Sequence, residues 1–455
     1  MTAARPLIGE RYHLFGIAGR GMAPLALAAR HLGAEVSGCD RRGQEETDAA
    51  LAAAGLGYSR DHSPGHVVPG TAFVATSVAP SDEPEVVAAE RAGGVLHRTD
   101  LLARVLAARP GVGVTGSHGK GTVTALTAAA MEAAGLDPLA VVGVTVPDLG
   151  GMVRLGDGPA VAEVDDSDLS LARVVTEVAV VTNLDDDHPH LPTSLDEVVA
   201  GVGEFVAKAR SRVVLGPSPR SDRLAAYADA EVWRYRRDFS ARTVSVGDEG
   251  TRLRLTAPGG TRVEAHVRLL GPQTAANAAL ALAASVAAGA DPEAAAAGLS
   301  TVRTIRRRLE PMGVRDGVRV FDDFGAKHPA CVRGGIETIR RHFPQARVIA
   351  AFEAYGPYLA RWGGRFAKAL SLADAVVVAP AVFSADYSAG ARFDERWTDA
   401  CSVPPILVAD RAEAARTAMG LAGPGDVVVS FAQLGTGRET ARMAMGQQAP
   451  QVAAT

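Results

Sequence analysis

A glycine-rich segment at residues 114–122, VTGSHGKGT, constrains the fold more than any other feature, because it joins an apolar strand-like run to a helix-like run. Gly116 and Gly119 let the backbone approach an anion, amides at a helix start point toward it, and Lys120 supplies positive charge. The segment departs from the strict Walker pattern, since a valine replaces its first glycine and Gly121 follows the lysine. A glycine turn with an incidental lysine is the alternative. The combination favours a phosphate-binding loop in a parallel α/β sheet.

Short apolar runs alternate with helical patterns along most of the 455 residues, which is typical of doubly wound α/β folds. A proline at position 110, a change to short alternating strands after about residue 231, and a return to α/β texture near 303 mark the boundaries. A chain of this length favours two or three domains. We expect a Rossmann-like domain at 1–109, a central ATP-binding domain with a small antiparallel portion at 110–302, a Rossmann-like domain at 303–446, and a flexible tail at 447–455.

Composition excludes several classes of protein. The net charge of −4 provides no broad basic field for nucleic acid. The apolar runs are too short to cross a bilayer, and the N-terminus has no signal-peptide core. Three widely separated cysteines have no metal-type spacing and fit a reducing compartment. We therefore expect a cytoplasmic protein without membrane or nucleic-acid partners.

Carboxylates and a histidine follow two strand-like runs of the central segment. Glu163 and Asp165 lie on one face of the first strand end, and His188 lies in LDDDHPH after the next strand. These groups are plausible ligands for Mg²⁺ beside a phosphate loop. Acidic loops that cap helices are the alternative. We favour a metal role for Glu163 and His188, while Asp165, Asp166 and Asp168 fit a structural role at least as well.

A second glycine turn, GIAGRGMAPLA at 16–26, lies between a strand and a helix, and Asp40 ends the next strand. It is similar to a dinucleotide fingerprint whose middle glycine is Ala18. Binding of a diphosphate or nucleotide is favoured, and helix–strand packing without a ligand stays open. A nicotinamide dehydrogenase could use this turn, but that function leaves the phosphate loop unexplained.

Together with Glu163 and His188, these motifs resemble the Mur ligase family over about residues 12–440. The resemblance implies a three-domain ligase that uses ATP and Mg²⁺ and forms ADP. Such an enzyme joins a small-molecule carboxylate, free or UDP-linked, to an amino acid or another amine through an acyl phosphate. A monomer or homodimer is expected.

The resemblance also assigns roles to individual residues of this chain. The expected nucleotide contacts are Gly116, Ser117, His118, Gly119, Lys120, Gly121, Thr122, Asn277, Arg308 and Asp323. The expected catalytic residues are Lys120, Glu163, His188 and Lys327, and the expected metal ligands are Thr122, Glu163 and His188. The expected substrate contacts are Gly16, Ala18, Gly19, Gly21, Met22, Asp40, Ser77, Tyr355 and Arg361.

Departures from the family pattern concern both the metal and the substrate. Gly121 replaces a magnesium-binding threonine, so Thr122 is the expected hydroxyl ligand. Lys327 stands about where a histidine is usual, and contact with phosphate, contact with the incoming acid and a surface position stay open. FEAYGPYLAR at 352–361 lacks the usual histidine–arginine–tyrosine, and Arg361 could replace that carboxylate clamp only after local rearrangement.

Three functions follow from these matches and departures. The first is a ligase with a changed substrate in a specialised pathway. The second is the ligation of UDP-N-acetylmuramate to L-alanine in peptidoglycan synthesis. The third is a non-catalytic binding protein with eroded motifs. The changed amino-acid segment slightly favours the first.

Overall fold

The computed structural model describes residues 6–167, 169–185, 194–271, 273–326, 328–381, 395–432 and 437–447. By density of contacts the chain divides into two compact units. The first unit comprises Met1–Arg242, Leu253–Val267 and Ala275–Val302, and the second comprises Thr243–Arg252, Arg268–Thr274 and Arg303–Thr455.

The first unit begins with a four-stranded parallel sheet in the order β2-β1-β3-β4. Its strands are β1 (Arg11–Phe15), β2 (Glu35–Cys39), β3 (Ala72–Ala75) and β4 (Val95–His97). Its helices are α1 (Ala23–His31), α2 (Glu45–Ala53), α3 (Pro84–Ala92) and α4 (Arg98–Ala107). Parallel pairing brings the ends of β1 and β2 to the same edge, where the glycine turn begins.

The phosphate-loop segment follows a central strand of a seven-stranded sheet in the order β11-β10-β9-β5-β8-β6-β7. The strands are β5 (Gly111–Thr115), β6 (Leu139–Val146), β7 (Gly151–Arg154), β8 (Ala160–Glu163), β9 (Thr176–Val181), β10 (Ala209–Leu215) and β11 (Glu231–Arg234). The helices are α5 (Lys120–Ala133), α6 (Leu195–Ala207) and α7 (Pro219–Leu224). Because β5 pairs in parallel with β8 and β9, the loop after β5 lies between the ends of both neighbours.

A three-stranded sheet in the order β12-β13-β14 follows. Its strands are β12 (Ser240–Gly247), β13 (Gly250–Thr256) and β14 (Arg262–Val267), and the helices after it are α8 (Thr274–Ala287) and α9 (Pro292–Gly298). Two residues join the paired strands β12 and β13, so this pair is an antiparallel hairpin.

The second unit contains a six-stranded sheet in the order β15-β16-β20-β17-β18-β19. The strands are β15 (Glu310–Arg315), β16 (Val318–Asp322), β17 (Val348–Glu353), β18 (Ala375–Val378), β19 (Ile406–Leu407) and β20 (Val427–Ala432). The helices are α10 (Pro329–His342), α11 (Gly356–Leu370), α12 (Arg411–Leu421) and α13 (Gly437–Ala444). Among the described strand pairs of this sheet, only β15 with β16 is antiparallel.

The α/β class predicted from the sequence is confirmed, because parallel pairings dominate both large sheets. The apolar runs at 72–75, 95–97, 111–115 and 375–378, which the sequence predicts as strands, coincide with β3, β4, β5 and β18. Three strands were not predicted: β7, β11 and β15. Each lies at the edge of its sheet. No helix among the described residues is long and apolar enough to cross a membrane.

Candidate nucleotide site

Two glycines shape the loop between β5 and α5. Gly116 has φ of +123°, and a side chain there would collide with Thr182 and Asn183. Gly119 has φ of +83° at the N-cap of α5, and a Cβ there would lie 2.9 Å from Oδ1 of Asn277. Amino acids other than glycine rarely adopt such positive φ angles, because their Cβ atom clashes with the backbone. Both positions therefore require glycine, because the backbone has a positive φ and because neighbouring residues leave no room for a Cβ atom. An incidental turn would not require both.

Lys120 is the first residue of α5 and folds back over the loop. Its Nζ donates to the Gly116 carbonyl at 2.7 Å and pairs with Oδ1 of Asp166 at 2.7 Å. Its side chain is only 13% exposed. Burial by itself lowers the pKa of Lys120, but the charges of Asp166, Asp165 and Glu163 outweigh burial and raise this pKa above its usual value. Lys120 therefore provides an ammonium group beside the loop that is protonated at neutral pH.

The end of β9 fixes the two residues in the middle of the loop. Asn183 accepts from the Ser117 amide through its carbonyl and from the His118 amide through Oδ1, both at 3.0 Å. Nδ2 of Asn183 and Oγ1 of Thr182 donate to the His118 carbonyl at 2.9 and 2.7 Å. The Ser117 hydroxyl exchanges hydrogen bonds with the backbone of Asp185. Sequence reasoning assigned no role to Thr182 or Asn183, although both are polar residues that directly follow an apolar strand.

The carboxylate of Glu163 lies against the start of α5. A Cβ on Gly121 would be 2.9 Å from Oε2 of Glu163 and 2.9 Å from Val144, so this space is already filled. Gly143 has φ of +73° and likewise faces the Glu163 carboxylate. Thr122 is half-buried in the next position of the helix. A carboxylate beside the phosphate loop suits Mg²⁺, so the donor chemistry fits the predicted ion.

Two further predicted residues of this region have defined surroundings. Asn277 lies in α8 with its side chain against Gly119, and it is 8% exposed. Asp165 forms an ion pair with Arg98 at 2.6 Å. This contact fits the structural role that the sequence analysis kept as an alternative for Asp165. Asp166 holds Lys120, which the sequence did not reveal.

His188 and Lys327, predicted as catalytic residues, lie outside the residues that the structure describes, as does Asp168. Their roles therefore stay predictions.

The glycine turn after β1 is organised by Asp40. Oδ2 of Asp40 accepts from the Ala18 amide at 3.2 Å, while Oδ1 accepts from the amides of Arg42 and Gly43. Gly16 has φ of +71°, and its amide donates to the Cys39 carbonyl at 2.8 Å. The carboxylate of Asp40, which directly follows β2, is thus directed into the turn.

The remaining residues of this predicted substrate region surround the turn. The Gly19 amide donates to the Gly16 carbonyl, and the buried Met22 precedes α1. A Cβ on Gly21 would lie 2.9 Å from the guanidinium of Arg98. Ser77 is exposed in the turn after β3.

In the second unit, Asp323 and Arg308 adjoin the end of β16. The Leu309 amide donates to Oδ1 of Asp323 at 3.3 Å, and Arg308 donates to the Gly325 carbonyl at 2.7 Å. Burial raises the pKa of Asp323 to about 6, against the opposing effects of Arg308 and the Leu309 amide. Arg308 also lines a cavity of about 300 Å³ that includes the arginines at 268, 303 and 319.

Tyr355 and Arg361 belong to an aromatic region at α11. Tyr355 packs edge-to-face on Tyr358 with ring centroids 5.4 Å apart, and Tyr358 packs on Trp362 at 5.6 Å. The ring of His328 meets Trp362 at 4.5 Å. Arg361 is exposed, and its guanidinium lies 5.9 Å from the Trp362 ring.

The fold and the loop define a class: an α/β nucleotide-binding protein with a phosphate loop at the carboxyl end of a parallel strand. Comparison with known proteins places it more narrowly. The model of the Mur ligase middle domain matches residues 114–285, the model of the Mur ligase family catalytic domain matches 11–110, and the model of the Mur ligase glutamate ligase domain matches 307–434.

Curated relatives and solved structures agree with these matches. A UDP-N-acetylmuramate–L-alanine ligase of Gloeobacter violaceus is 37% identical over 388 residues, which is 82% of each chain. One of Deinococcus radiodurans is 35% identical over 438 residues and covers 92% of this chain and 90% of the relative. The fold resembles the crystal structure of the UDP-N-acetylmuramate–alanine ligase of Thermotoga maritima, with a TM-score of 0.79, 22% identity, and coverage of 96% and 98%. It also resembles Mycobacterium tuberculosis folylpolyglutamate synthase complexed with ADP and AMPPCP, with a TM-score of 0.62, 20% identity, and coverage of 77% and 94%.

The chain belongs to the Mur ligase family. It is accordingly an enzyme, an ATP-dependent and ADP-forming ligase that joins a carboxylate to an amine. The resemblance inferred from the motifs is thereby confirmed.

Proposed function

We propose that the chain joins UDP-N-acetylmuramate to an amino acid, with L-alanine as the first candidate, and uses the loop around Lys120 to hold ATP. The names of the curated relatives and their coverage of 82–90% of their own length support the acid and the amine. The charged and buried ammonium of Lys120, held between the loop and Asp166, is the observation that carries the ATP role.

The residues of the loop supply positive potential where phosphates would bind. The first amides of α5 have no acceptor within the helix, and the helix dipole adds partial positive charge at the same end. Lys120 can exchange its contact with Asp166 for one with a phosphate oxygen without changing its own charge. Asn183 holds the middle of the loop in place, so little ordering is needed when ATP binds.

Glu163 and Thr122 are the described residues that we propose as magnesium ligands. Mg²⁺, when bound, would screen the charge of the phosphates. Glu163 offers carboxylate oxygens at the end of β8, beside the first turn of α5. Thr122 offers a hydroxyl one position later than the usual P-loop hydroxyl, because Gly121 takes that place.

The proposed reaction has two balanced steps. The substrate carboxylate attacks the γ-phosphorus in line, the bond to the β-phosphate oxygen breaks, and ADP leaves as an acyl phosphate forms. The amine then attacks the acyl carbon, loses a proton, and expels inorganic phosphate to leave an amide. Lys120 stabilises charge on the transferring group in the first step.

Substitution of Lys120 tests this proposal. Lys120→Ala should reduce substrate-dependent release of ADP by about 10³-fold or more, because it removes the buried ammonium that stabilises the transferring phosphate. Lys368→Ala is the matched control, since Lys368 is exposed on α11. ADP release should be measured with UDP-N-acetylmuramate and L-alanine, with circular dichroism as the check on folding. Full turnover by a folded Lys120→Ala protein would refute the ATP role, and a wild type that releases no ADP with this pair of substrates would refute the proposed acid and amine.

A changed amine substrate is the second candidate, and the aromatic region at α11 favours it. Tyr355, Tyr358 and Trp362 pack together where the family pattern expects a carboxylate clamp, while Arg361 is exposed. A phosphate-release screen of amino acids with UDP-N-acetylmuramate distinguishes the candidates. Highest kcat/KM with L-alanine supports the first, and at least tenfold preference for another amine supports the second.

A further inference from the structure

Four residues with metal-binding side chains meet in the first unit. His13 lies in β1, Cys39 ends β2, His66 ends a short 3-10 helix, and Glu85 lies in the first turn of α3. One donor atom from each lies within 4.8 Å of all the others. The four residues come from separate segments, which is why cysteine spacing in the sequence gave no sign of them. We call them the His–Cys–Glu cluster.

The distances from Glu85 to the other three residues of this cluster suit a single ion. Oε1 of Glu85 lies 3.2 Å from Nε2 of His13, 3.1 Å from Nδ1 of His66 and 3.3 Å from Sγ of Cys39. Around a tetrahedral Zn²⁺ with bonds of about 2.0–2.3 Å, neighbouring donor atoms are separated by roughly 3.3–3.8 Å. Several donor separations therefore need to change by only a few tenths of an ångström.

The orientation of His13 also points to a ligand. Nδ1 of His13 lies 3.0 Å from Oγ of Ser37, which leaves Nε2 directed into the cluster. Nε2 is buried and makes no well-directed hydrogen bond, and the whole residue is 5% exposed. Metal-binding histidines typically have their second ring nitrogen fixed in this way. The ring of Phe73 stacks on His13 at 5.7 Å and limits its rotation.

The surroundings of the cluster offer a fifth donor and an entry path. Nδ1 of His62 lies 3.1 Å from Sγ of Cys39 and 3.4 Å from Oε2 of Glu85, and its ring stacks on Phe15 at 4.1 Å. The side chain of His66 is 20% exposed, so the cluster is accessible from solvent on that side. Glu85 itself is completely buried, a position that is costly for a carboxylate without a compensating positive charge.

We propose that the His–Cys–Glu cluster binds Zn²⁺. Two imidazole nitrogens, one thiolate and one carboxylate form a mixed donor set that suits this borderline-soft ion better than Mg²⁺ or Ca²⁺. On binding, the thiol of Cys39 transfers its proton to solvent as the sulfur–zinc bond forms. The site is separate from the phosphate loop and does not depend on the proposed substrates.

The ion would have a structural consequence for the glycine turn. The carbonyl of Cys39 accepts the amides of Gly16 and Ile17 at 2.8 and 3.1 Å. The next residue, Asp40, accepts the amide of Ala18. Because Cys39 would be a ligand, bound Zn²⁺ fixes the strand end that positions this turn.

Metal titration of the full chain tests the proposal. Chelator-treated protein should bind one equivalent of Zn²⁺ in competition with a chromogenic chelator, and Co²⁺ in its place should give a thiolate-to-cobalt charge-transfer band. Cys39→Ser should abolish that band, and His66→Ala should weaken Zn²⁺ binding by at least about tenfold, in line with losses seen at metal sites. Cys331→Ser and His31→Ala, which alter residues outside the cluster, should change neither.

Several results would overturn the zinc site. One is a wild type that binds less than one equivalent, which would leave the cluster as a hydrogen-bonded polar core. Another is Cys39→Ser protein that keeps the charge-transfer band. If Cys39→Ser fails to fold by circular dichroism, the partly exposed His66→Ala decides, because unchanged Zn²⁺ affinity in that variant contradicts the proposal.

Discussion

Gly119 and Gly135 separate the two reasons for which a glycine can be required. Both have positive φ, +83° and +76°, so an L residue is strained at either position. A Cβ on Gly119 would meet Asn277 at 2.9 Å, whereas one on Gly135 would have no neighbour within 4 Å. Position 119 therefore combines strain with crowding at the predicted nucleotide site, and position 135 has strain alone.

We expect Gly135→Ala to lower the free energy of unfolding by about 1–2 kcal/mol and to leave the KM for ATP unchanged. Gly119→Ala should lower the free energy of unfolding by at least as much as Gly135→Ala does. It should also raise the KM for ATP by about tenfold or more, because Asn277 must move to make room for the new Cβ. Denaturant unfolding and ATP-dependent kinetics of both variants check this. Equal KM values in the two variants would mean that the Gly119–Asn277 contact has no role in ATP binding.

Asp323 gives a pH dependence with a defined sign. Burial is the main cause that raises its pKa from 3.8 to about 6. Between pH 3.8 and about 6, the carboxyl group is therefore protonated in the folded state and ionised in the unfolded state. The contribution of Asp323 to the free energy of unfolding is therefore highest below about pH 4, falls as the pH rises to about 6, and is then constant. A shift of about two units corresponds to on the order of 2–3 kcal/mol.

Asp323→Asn should remove this dependence while its amide oxygen still accepts from Leu309. Thermal midpoints of wild type and variant at pH 4.5 and pH 7.5 provide the measurement. The wild type should gain stability relative to the variant at pH 4.5. A midpoint difference that is the same at both values would show that Asp323 titrates normally.

At the scale of elements, the three strands that the sequence did not predict are all edge strands, although the edge strands β2, β4 and β19 were predicted. Central strands such as β5 and β17 are buried along their whole length, so they appear as continuous apolar runs. The edge strands β7, β11 and β15 include exposed or half-buried positions and break the pattern. Edge strands depend on the neighbour they pair with, which the sequence does not specify.

Some residues of the candidate site were likewise predictable from the sequence, and others were not. The loop glycines and Lys120 were predictable, because their chemistry is local to one strand–turn–helix segment. The contacts of Asp166 with Lys120 and of Asn183 with His118 depend on sheet order, since β8 and β9 flank β5. The order of strands is a tertiary property, so these two partners appeared only in the structure.

Asn183 connects the end of β9 to the loop, and its removal tests this connection between elements. Asn183→Ala deletes the acceptor for the His118 amide and the donor to its carbonyl. We expect the KM for ATP to rise by roughly 10- to 100-fold, which corresponds to about 1–3 kcal/mol for the lost hydrogen bonds. Steady-state kinetics with varied ATP measure it.

Ser211→Ala is the control for Asn183→Ala, because Ser211 makes a side-chain contact with the Glu177 carbonyl between β10 and β9, away from the loop. Its KM should match the wild type. Similar KM values for both variants would show that Asn183 does not organise the loop.

At the scale of the whole molecule, the second unit is assembled from three stretches of chain. Beyond the predicted domain start at 303, it includes Thr243–Arg252 and Arg268–Thr274. Nδ1 of His342 lies 2.5 Å from the Gly247 carbonyl, and Leu269 and Leu270 line the same cavity as Phe343. These contacts join residues more than 70 positions apart, so no local pattern in the sequence could reveal them.

A fragment of residues 303–447 should therefore be less stable than the same residues in the full chain. It lacks Leu269 and Leu270, and a fully buried leucine contributes about 1.5–3 kcal/mol, with less from the partly buried Leu270. It also lacks the Gly247 acceptor of His342. A second fragment, 268–447 with 275–302 replaced by a flexible glycine–serine linker, restores both leucines. Thermal unfolding should show the lowest midpoint for 303–447 and partial recovery for the linked fragment, whereas equal midpoints would mean that residues 268–274 contribute nothing to the stability of this unit.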